Sequence, residues 1–449
     1  MMIADFVAAA RPPDEARCAA ARAVLDTIGV MLAGALEPCA RAVQQVLALE
    51  VSSGTCTVVG TAQRAAATGA ALANGTAAHA HDFDDMCFVS LAHPSAPLVA
   101  AGLAAAELAG ASGRAMLDAY VVGFELEARF GRAMNPRHYQ RGWHCTSTLG
   151  TMGAAAASSR LLGLTPDLTA HALAIAASEA SGLKENFGTM VKPLHSGLAA
   201  RNGVLAALLA RAGMDASASA IEGRQGFLAA LDSESPALLP FAADLGSRWE
   251  ILDTGITVKL YPSCAATHPA LDALLDLKRR DPFGPDDVQQ IEIGVDAITP
   301  TVLLYDRPST ALEAKFSMPF CAAAAVADGQ VGLATFSAAR MADPVLEDLR
   351  RRVAMHVDAS LDPAAPALTQ ARVRVVLTGS RVLCADARGA RGYPDRPASA
   401  EQLSAKFLAC AALAMPEARA RAALAAVANI ERESDICTLA ELCSAGGQP

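Results

Sequence analysis

The sequence predicts a mainly α protein: a large all-α helical domain and a smaller α+β lid domain whose strands form an antiparallel sheet. Three observations carry that prediction. Apolar residues recur at helical spacing through most of the first 260 positions, alternation replaces that spacing after about residue 265, and helical spacing returns from Ser399. The expected organisation is an all-α domain over residues 1–260, an α+β domain over 261–398, and C-terminal helices over 399–449 that rejoin the first domain. A chain of 449 residues is long enough for two or three domains and a large core.

Two helices are expected before about residue 50. Pro12-Pro13 precede the longer one, whose core face is Val24, Ile28, Met31 and Leu32, with Gly34 as its stop. Residues 51–63, with Thr55, Thr57, Val58 and Val59, read as a short extended piece. An alanine-rich helix follows over 65–78, interrupted at Asn74-Gly75. From 97 to 255 the pattern is almost wholly helical: Leu117, Tyr120, Val121 and Phe124 repeat at helix spacing, as do Val204, Leu205, Leu208 and Leu209. Alanine and glycine fill the positions between, which lets helices approach closely.

Later, Ile291, Ile293 and Val295 alternate with polar residues, and so do Val353, Met355 and Val357, and Val373 with Val375. These predict half-buried strands of one antiparallel sheet, covered by helices at 268–280 and 311–327.

Composition excludes several classes. Net charge is −9 with 18% charged residues, and the two signs are mixed rather than blocked, so no nucleic-acid surface is indicated. Mean hydropathy is positive because of alanine, but no 18-residue apolar run appears, so no membrane span is expected. The start, Met-Met-Ile-Ala-Asp, lacks the basic region of a signal peptide. Eleven cysteines without paired spacing fit reduced thiols, hence a cytoplasmic protein. Arginine far outnumbers lysine, whose positions are Lys184, Lys192, Lys259, Lys278, Lys315 and Lys406.

The chemistry concentrates in residues 79–97. His79, His81, His93, Asp82, Asp84 and Asp85 lie there among alanines and leucines, a density of proton carriers that suits general acid-base work. Pro94 keeps His93 extended, Ser95 is placed to cap a new helix, and Pro97 fits its first turn. The other readings of such a cluster are a hydrogen-bonded scaffold or a metal site; with no His-x-x-x-His or Cys-x-x-Cys spacing, no metal ligands are assigned.

Further polar stretches stand among small residues. His144, within Gly142-Trp143-His144-Cys145-Thr146-Ser147, is either a second acid-base group or a core histidine. Lys192, His195 and Arg201 gather near a helix start and form either a receptor for carboxylates or a solvated turn. Residues 258–268, with Lys259 and Cys264, fall at the junction of the two textures, where ligand clefts commonly lie. The run Glu313 to Phe320 leads into a helix of small residues. Phosphate-loop, dinucleotide, serine-hydrolase and zincin motifs are all missing, so no cofactor is expected.

Taken in order, these stretches resemble the MmgE/PrpD family nearly end to end. The matching motifs are Leu25-Asp26-Thr27-Ile28-Gly29, Asn74-Gly75, His81-Asp82-Phe83-Asp84-Asp85, His93-Pro94-Ser95 and Gly142-Trp143-His144, then Asn186-Phe187-Gly188-Thr189-Met190, Lys192-Pro193 and Ala200-Arg201-Asn202-Gly203. Lys259 with Tyr261-Pro262-Ser263-Cys264, and Ala314-Lys315-Phe316-Ser317, complete them. The resemblance implies a homodimeric, cofactor-independent enzyme with an all-α domain and an α+β lid, acting on a small di- or tricarboxylate; dehydratases, decarboxylases and epimerases are among its members. By position it places the active site on Asp82, His93, His144, Lys192 and Lys259. Where the decarboxylase branch has a threonine, a histidine and a tyrosine, this chain has Met86, Cys264 and Phe320. The Pro-Ser-Cys and Asn-Phe-Gly-Thr-Met runs look more like the epimerase branch.

The expected catalytic residues are thus Asp82, His93 and His144. Lys192, Lys259, Arg201, Cys264, His195, Met86 and Phe320 are expected to bind substrate. The competing classes are a metal-dependent hydrolase and a carboxylate-binding protein without catalysis.

Overall fold

The computed structural model describes residues 2–50, 54–364 and 369–445. Its contacts divide the chain into two compact units, residues 1–258 with 399–449, and residues 259–398.

The first unit is built of helices. Asp14–Gly34 buries Val24, Ile28, Met31 and Leu32 on its core face and ends at Gly34. Around it lie Ala67–His79, Ser95–Ala109, Gly113–Met134, Cys145–Leu161, Pro166–Glu179 and Val191–Arg211. Small residues govern how these helices meet. A Cβ on Gly75 would fall 2.8 Å from Gly197 Cα, and one on Gly197 would fall 2.2 Å from Thr76 Oγ1, so the helices Ala67–His79 and Val191–Arg211 cross with their backbones nearly touching. Helix propensity at Asn74-Gly75 is poor, but this crossing outweighs it: the helix expected to be interrupted there runs unbroken.

The C-terminal helix Ala400–Ala411 packs on Asp14–Gly34 through a specific joint. Lys406 Nζ donates to Asp26 Oδ2 at 2.9 Å and to the carbonyl of Phe83 at 2.7 Å, and pairs in charge with Asp26 Oδ1 at 2.7 Å. A Cβ on Gly29 would come within 3.1 Å of the Phe407 Cα, so glycine is what admits the second helix. The Leu25-Asp26-Thr27-Ile28-Gly29 motif is therefore a docking face.

The second unit has a four-stranded sheet, in the order Val353–Val357, Val288–Val295, Gln370–Leu377, Val382–Arg388. Ile291, Ile293, Val295, Val373 and Val375 are fully buried in its core, with the helices His268–Arg280 and Met318–Asp328.

Several expectations need correction. The sheet is mixed rather than antiparallel, because Val288–Val295 and Val353–Val357 pair in parallel. The chain between them passes through helices Met318–Asp328 and Pro344–Arg351, and such a crossover returns it in the same direction. Val357 is half exposed, since its strand is at the sheet edge. The helix expected over 311–327 is two, Ala311–Ala314 and Met318–Asp328, and residues 214–249 hold turns and four-residue helices rather than long ones. In Val191–Arg211 Val204 is buried as expected, but beside it the buried positions are Gly203, Ala206, Ala207 and Ala210, and Leu205, Leu208 and Leu209 are only part-buried. Of the extended piece expected over 51–63, residues 51–53 lie outside the described residues; Cys56–Thr57 pairs with Arg64–Ala65. Among the described residues no single helix is long and apolar enough to cross a membrane.

Candidate active site

In the first unit, three chain segments deliver their polar residues to one place. The helix Ala67–His79 ends on His79, and the loop after it turns sharply at Asp82, a non-glycine residue at φ +51°. Such a conformation costs free energy and persists where surrounding bonds hold it. The helix Val191–Arg211 supplies Lys192 and His195, and His144 precedes the helix Cys145–Leu161. The peptide of His144 is fixed by its N–H to the Gly182 carbonyl at 3.0 Å, and Lys184 N–H returns to Gly142 O at 2.9 Å.

Lys192 Nζ is 2.7 Å from Asp82 Oδ1 and 2.8 Å from His79 Nε2. An ammonium only donates, so His79 Nε2 is the acceptor and its ring proton is on Nδ1. That Nδ1 donates to Asp84, 2.8 Å from Oδ2 and 3.0 Å from Oδ1. The result is a buried relay, Asp84 to His79 to Lys192 to Asp82. Burial pushes His79 down to about 4, overriding the Asp84 carboxylate, which favours the charged ring. Asp84 moves well below the usual carboxylate range: burial opposes this, but the histidines beside it prevail.

His93 stands against this relay with its ring 4.5 Å from that of His79. Its Nδ1 is 3.3 Å from Asp84 Oδ2 and its Nε2 is 3.9 Å from Asp82 Oδ1, so a carboxylate faces each ring nitrogen. The His93 N–H donates to Thr146 Oγ1 at 3.0 Å. His144 has the opposite setting. It is buried, with His195 Nδ1 3.0 Å from its own Nδ1 and the edge-on Phe187 ring 4.9 Å away. Burial, then the positive charge of Lys192, hold it well below the ordinary histidine range. His195 is likewise pushed to about 4 by burial. One proton is shared across the two Nδ1 atoms, so His144 and His195 are opposite tautomers, and the nitrogen His144 turns away from its partner is Nε2.

The sequence expectations therefore separate. Asp82, His93, His144, Lys192 and His195 come together. Arg201 is exposed on the far side of its helix and does not join them. Met86 is half-buried and pairs through its backbone with Thr257, at 2.9 and 2.8 Å. Lys259, Cys264 and Phe320 belong to the second unit, where Lys259 is buried, Cys264 N–H bonds the Lys315 carbonyl at 2.9 Å, and Phe320 packs on Phe336 in the core. His81 turns away, with Nε2 3.7 Å from Glu37. Ser95 does not cap its helix; it is the first helical residue, and its hydroxyl bonds Asp85. His79 and Asp84 were not assigned roles from the sequence, although both lie in the motif that stood out; what placed them was the helix crossing, which no local pattern reveals.

His79, Asp82, Asp84 and His93 bring one ligand atom each within 4.8 Å of one another, a set that by type suits a divalent cation. The donors are already engaged by a cation of the chain's own: Lys192 takes His79 Nε2 and Asp82 Oδ1, so a metal would have to displace an ammonium. This does not fit a resident metal. Thiol chemistry is also disfavoured, since burial pushes Cys145 up to about 12.

Comparison with known proteins gives the family. The MmgE/PrpD N-terminal domain matches residues 2–238 and the MmgE/PrpD C-terminal domain matches residues 261–432. A cis-aconitate decarboxylase of Aspergillus terreus is 28% identical over 93% of this chain and 90% of its own. The cis-aconitate decarboxylase of Homo sapiens is 28% identical over 95% of this chain and 90% of its own. The cis-aconitate decarboxylase-like protein oryM of Aspergillus oryzae is 32% identical over 70% of this chain and 69% of its own.

Proposed function

Because the chain belongs to the MmgE/PrpD family, we propose that it is a cofactor-independent lyase or isomerase that abstracts a proton next to a carboxylate of a small di- or tricarboxylate. The observation that carries this is the contrast between two histidines of one site. His144 is buried, neutral and paired only with imidazole, the setting of a base; His93 has a carboxylate opposite each nitrogen, the setting of a proton donor.

In this mechanism Lys192 binds a substrate carboxylate and stabilises the enolate-like charge that develops. The C–H electron pair moves onto the α carbon as His144 Nε2 takes the proton. The imidazolium so formed keeps its Nδ1–H bond to His195, which orients it. His93 then either protonates a β-hydroxyl, which leaves as water while the C–C double bond forms, or returns a proton to the α carbon from the other face. The first outcome is dehydration, the second epimerisation. In this reading the enzyme is a cytoplasmic homodimer; light scattering should give about twice the 46.1 kDa chain mass.

A second reading is decarboxylation, favoured by the names of the relatives. There the C–CO₂ bond breaks, its electron pair stays on carbon, and only a proton donor such as His93 is needed. Met86, Cys264 and Phe320 weigh against it. Proton NMR in D₂O with a panel of di- and tricarboxylates, cis-aconitate included, separates the readings. Loss of an α-proton signal supports abstraction, and CO₂ release without it supports decarboxylation. Binding without either reduces the protein to a carboxylate receptor.

A further inference from the structure

The geometry points to Asp85 as a positioning residue for His93: its carboxyl ties the segment carrying Asp82 and Asp84 to the helix start that carries His93. This rests on the reading of His93 as proton donor.

Asp85 is fully buried, and its carboxyl hydrogen-bonds Ser95. Its Oδ1 accepts the Ser95 N–H at 3.2 Å, its Oδ2 shares a short bond with the Ser95 hydroxyl, and that hydroxyl also bonds the buried Tyr120 phenol. Ser95 follows His93-Pro94 and opens the helix Ser95–Ala109, so two bonds to its backbone and side chain fix where that segment starts. Asp85 itself follows Asp84, which faces His93 Nδ1. The loop between is closed again by Cys87 N–H to Ala92 O at 2.9 Å, and Asn135 Nδ2 donates to Ser90 O at 2.8 Å. Gly131 gives it room, since a Cβ there would fall 2.5 Å from Ser90 Cα. A carboxyl buried without a cation is costly, and burial pushes Asp85 up to about 8, with Asp26 and Asp84 adding to the shift and the Ser95 bonds opposing it. Neighbouring Glu127 is buried as well, and among the described residues neither of its oxygens has a hydrogen-bond partner. A buried carboxyl spent on holding one serine is explained by what that serine anchors.

The test uses the full-length enzyme with ¹³Cε1-labelled histidine, the His93 resonance being assigned by its loss in His93→Gln. Asp85→Ala should shift the His93 resonance, leave that of His144 in place, and lower kcat by roughly 10²-fold, the cost of a misplaced catalytic group. KM should stay within about twofold, because substrate binding is untouched. Asp85→Asn should recover most of both, since its amide oxygen still accepts from the Ser95 N–H and its NH₂ donates to the Ser95 hydroxyl. A fall in Tm alone, with kcat and the His93 resonance unchanged, overturns the proposal, as does an Asp85→Asn no better than alanine. If Asp85→Ala does not fold, Ser95→Ala removes only the hydroxyl link and is read the same way. Should the wild type turn over no carboxylate, the functional reading fails while the resonance still reports on positioning.

Discussion

Lys192 Nζ and His79 Nε2 lie 2.8 Å apart, although the two residues are 113 positions apart in the chain. The contact fixes the His79 tautomer, and it places a lysine where the surrounding donors would otherwise suit a metal.

Replacing Lys192 with alanine should therefore do more than weaken binding. Asp82 loses its buried partner, so stability should fall by about 3 kcal/mol or more, and KM should rise. The vacated donors should also take up a divalent cation that wild type does not bind. Calorimetry with Zn²⁺ would show heat in the variant alone; equal binding by wild type would return the metal to the mechanism.

His144→Ala should lower turnover by roughly 10²-fold or more, the usual contribution of a general base. Wild-type turnover in this variant removes His144 from the reaction.

Because burial and Lys192 hold His144 below the ordinary histidine range, it stays neutral well into mild acid. The acidic limb of kcat/KM should fall below about pH 6.5, the unperturbed imidazole value. A limb at or above that value contradicts the neutral base.

Asp85 makes a prediction about stability. Its folded pKa, about 8, is above the unfolded value, so between about pH 3.8 and 8 the folded state holds a proton the unfolded state has released. This carboxyl's contribution is thus fully present below the unfolded pKa and is lost as pH rises, by at most about 1.4 kcal/mol per pH unit. Asp85→Asn cannot titrate, so its stability relative to wild type should grow through that window and level off above it. Denaturant midpoints at pH 5 and 8 measure the difference; a constant offset means Asp85 is ionised throughout.

Lys406→Met should destabilise by about 3 kcal/mol, because it leaves the Asp26 carboxyl buried without its cation. Urea unfolding reads this, and a loss under about 0.5 kcal/mol would mean that Asp26 is content as a neutral acid.

Much of this was legible in the sequence. Alternation at Ile291 to Val295 and Val373 to Val375 marked true strands because one face of the sheet is buried, and helical spacing at Val24 to Leu32 marked a true core helix. The density of histidine and aspartate at 79–93 marked a segment whose side chains do converge, His79, Asp82, Asp84 and His93 lying together beside Lys192. What local patterns could not carry was partnership. The parallel pairing of Val353–Val357 depends on a crossover, Arg201 shares a helix with Lys192 but faces solvent, and Asp26 is explained only by Lys406, 380 residues away. Several of the few lysines serve as structural ties. Lys278 bonds two carbonyls, of Phe283 and Val326, and Lys315 bonds that of Pro262, so scarcity alone does not mark a lysine as a substrate anchor.

The backbone contact at Gly75 and Gly197 bears on how such an enzyme can diversify. The spacing of His79 and Lys192 is inherited from main chain pressed on main chain, and no side-chain exchange can widen it by small steps. In the mechanism proposed above, new substrate preferences would arise at side chains around this fixed pair, such as the Phe187 ring beside His144, while the pair itself stays constant. A mutational library aimed at specificity should spare both glycines and spend its diversity there.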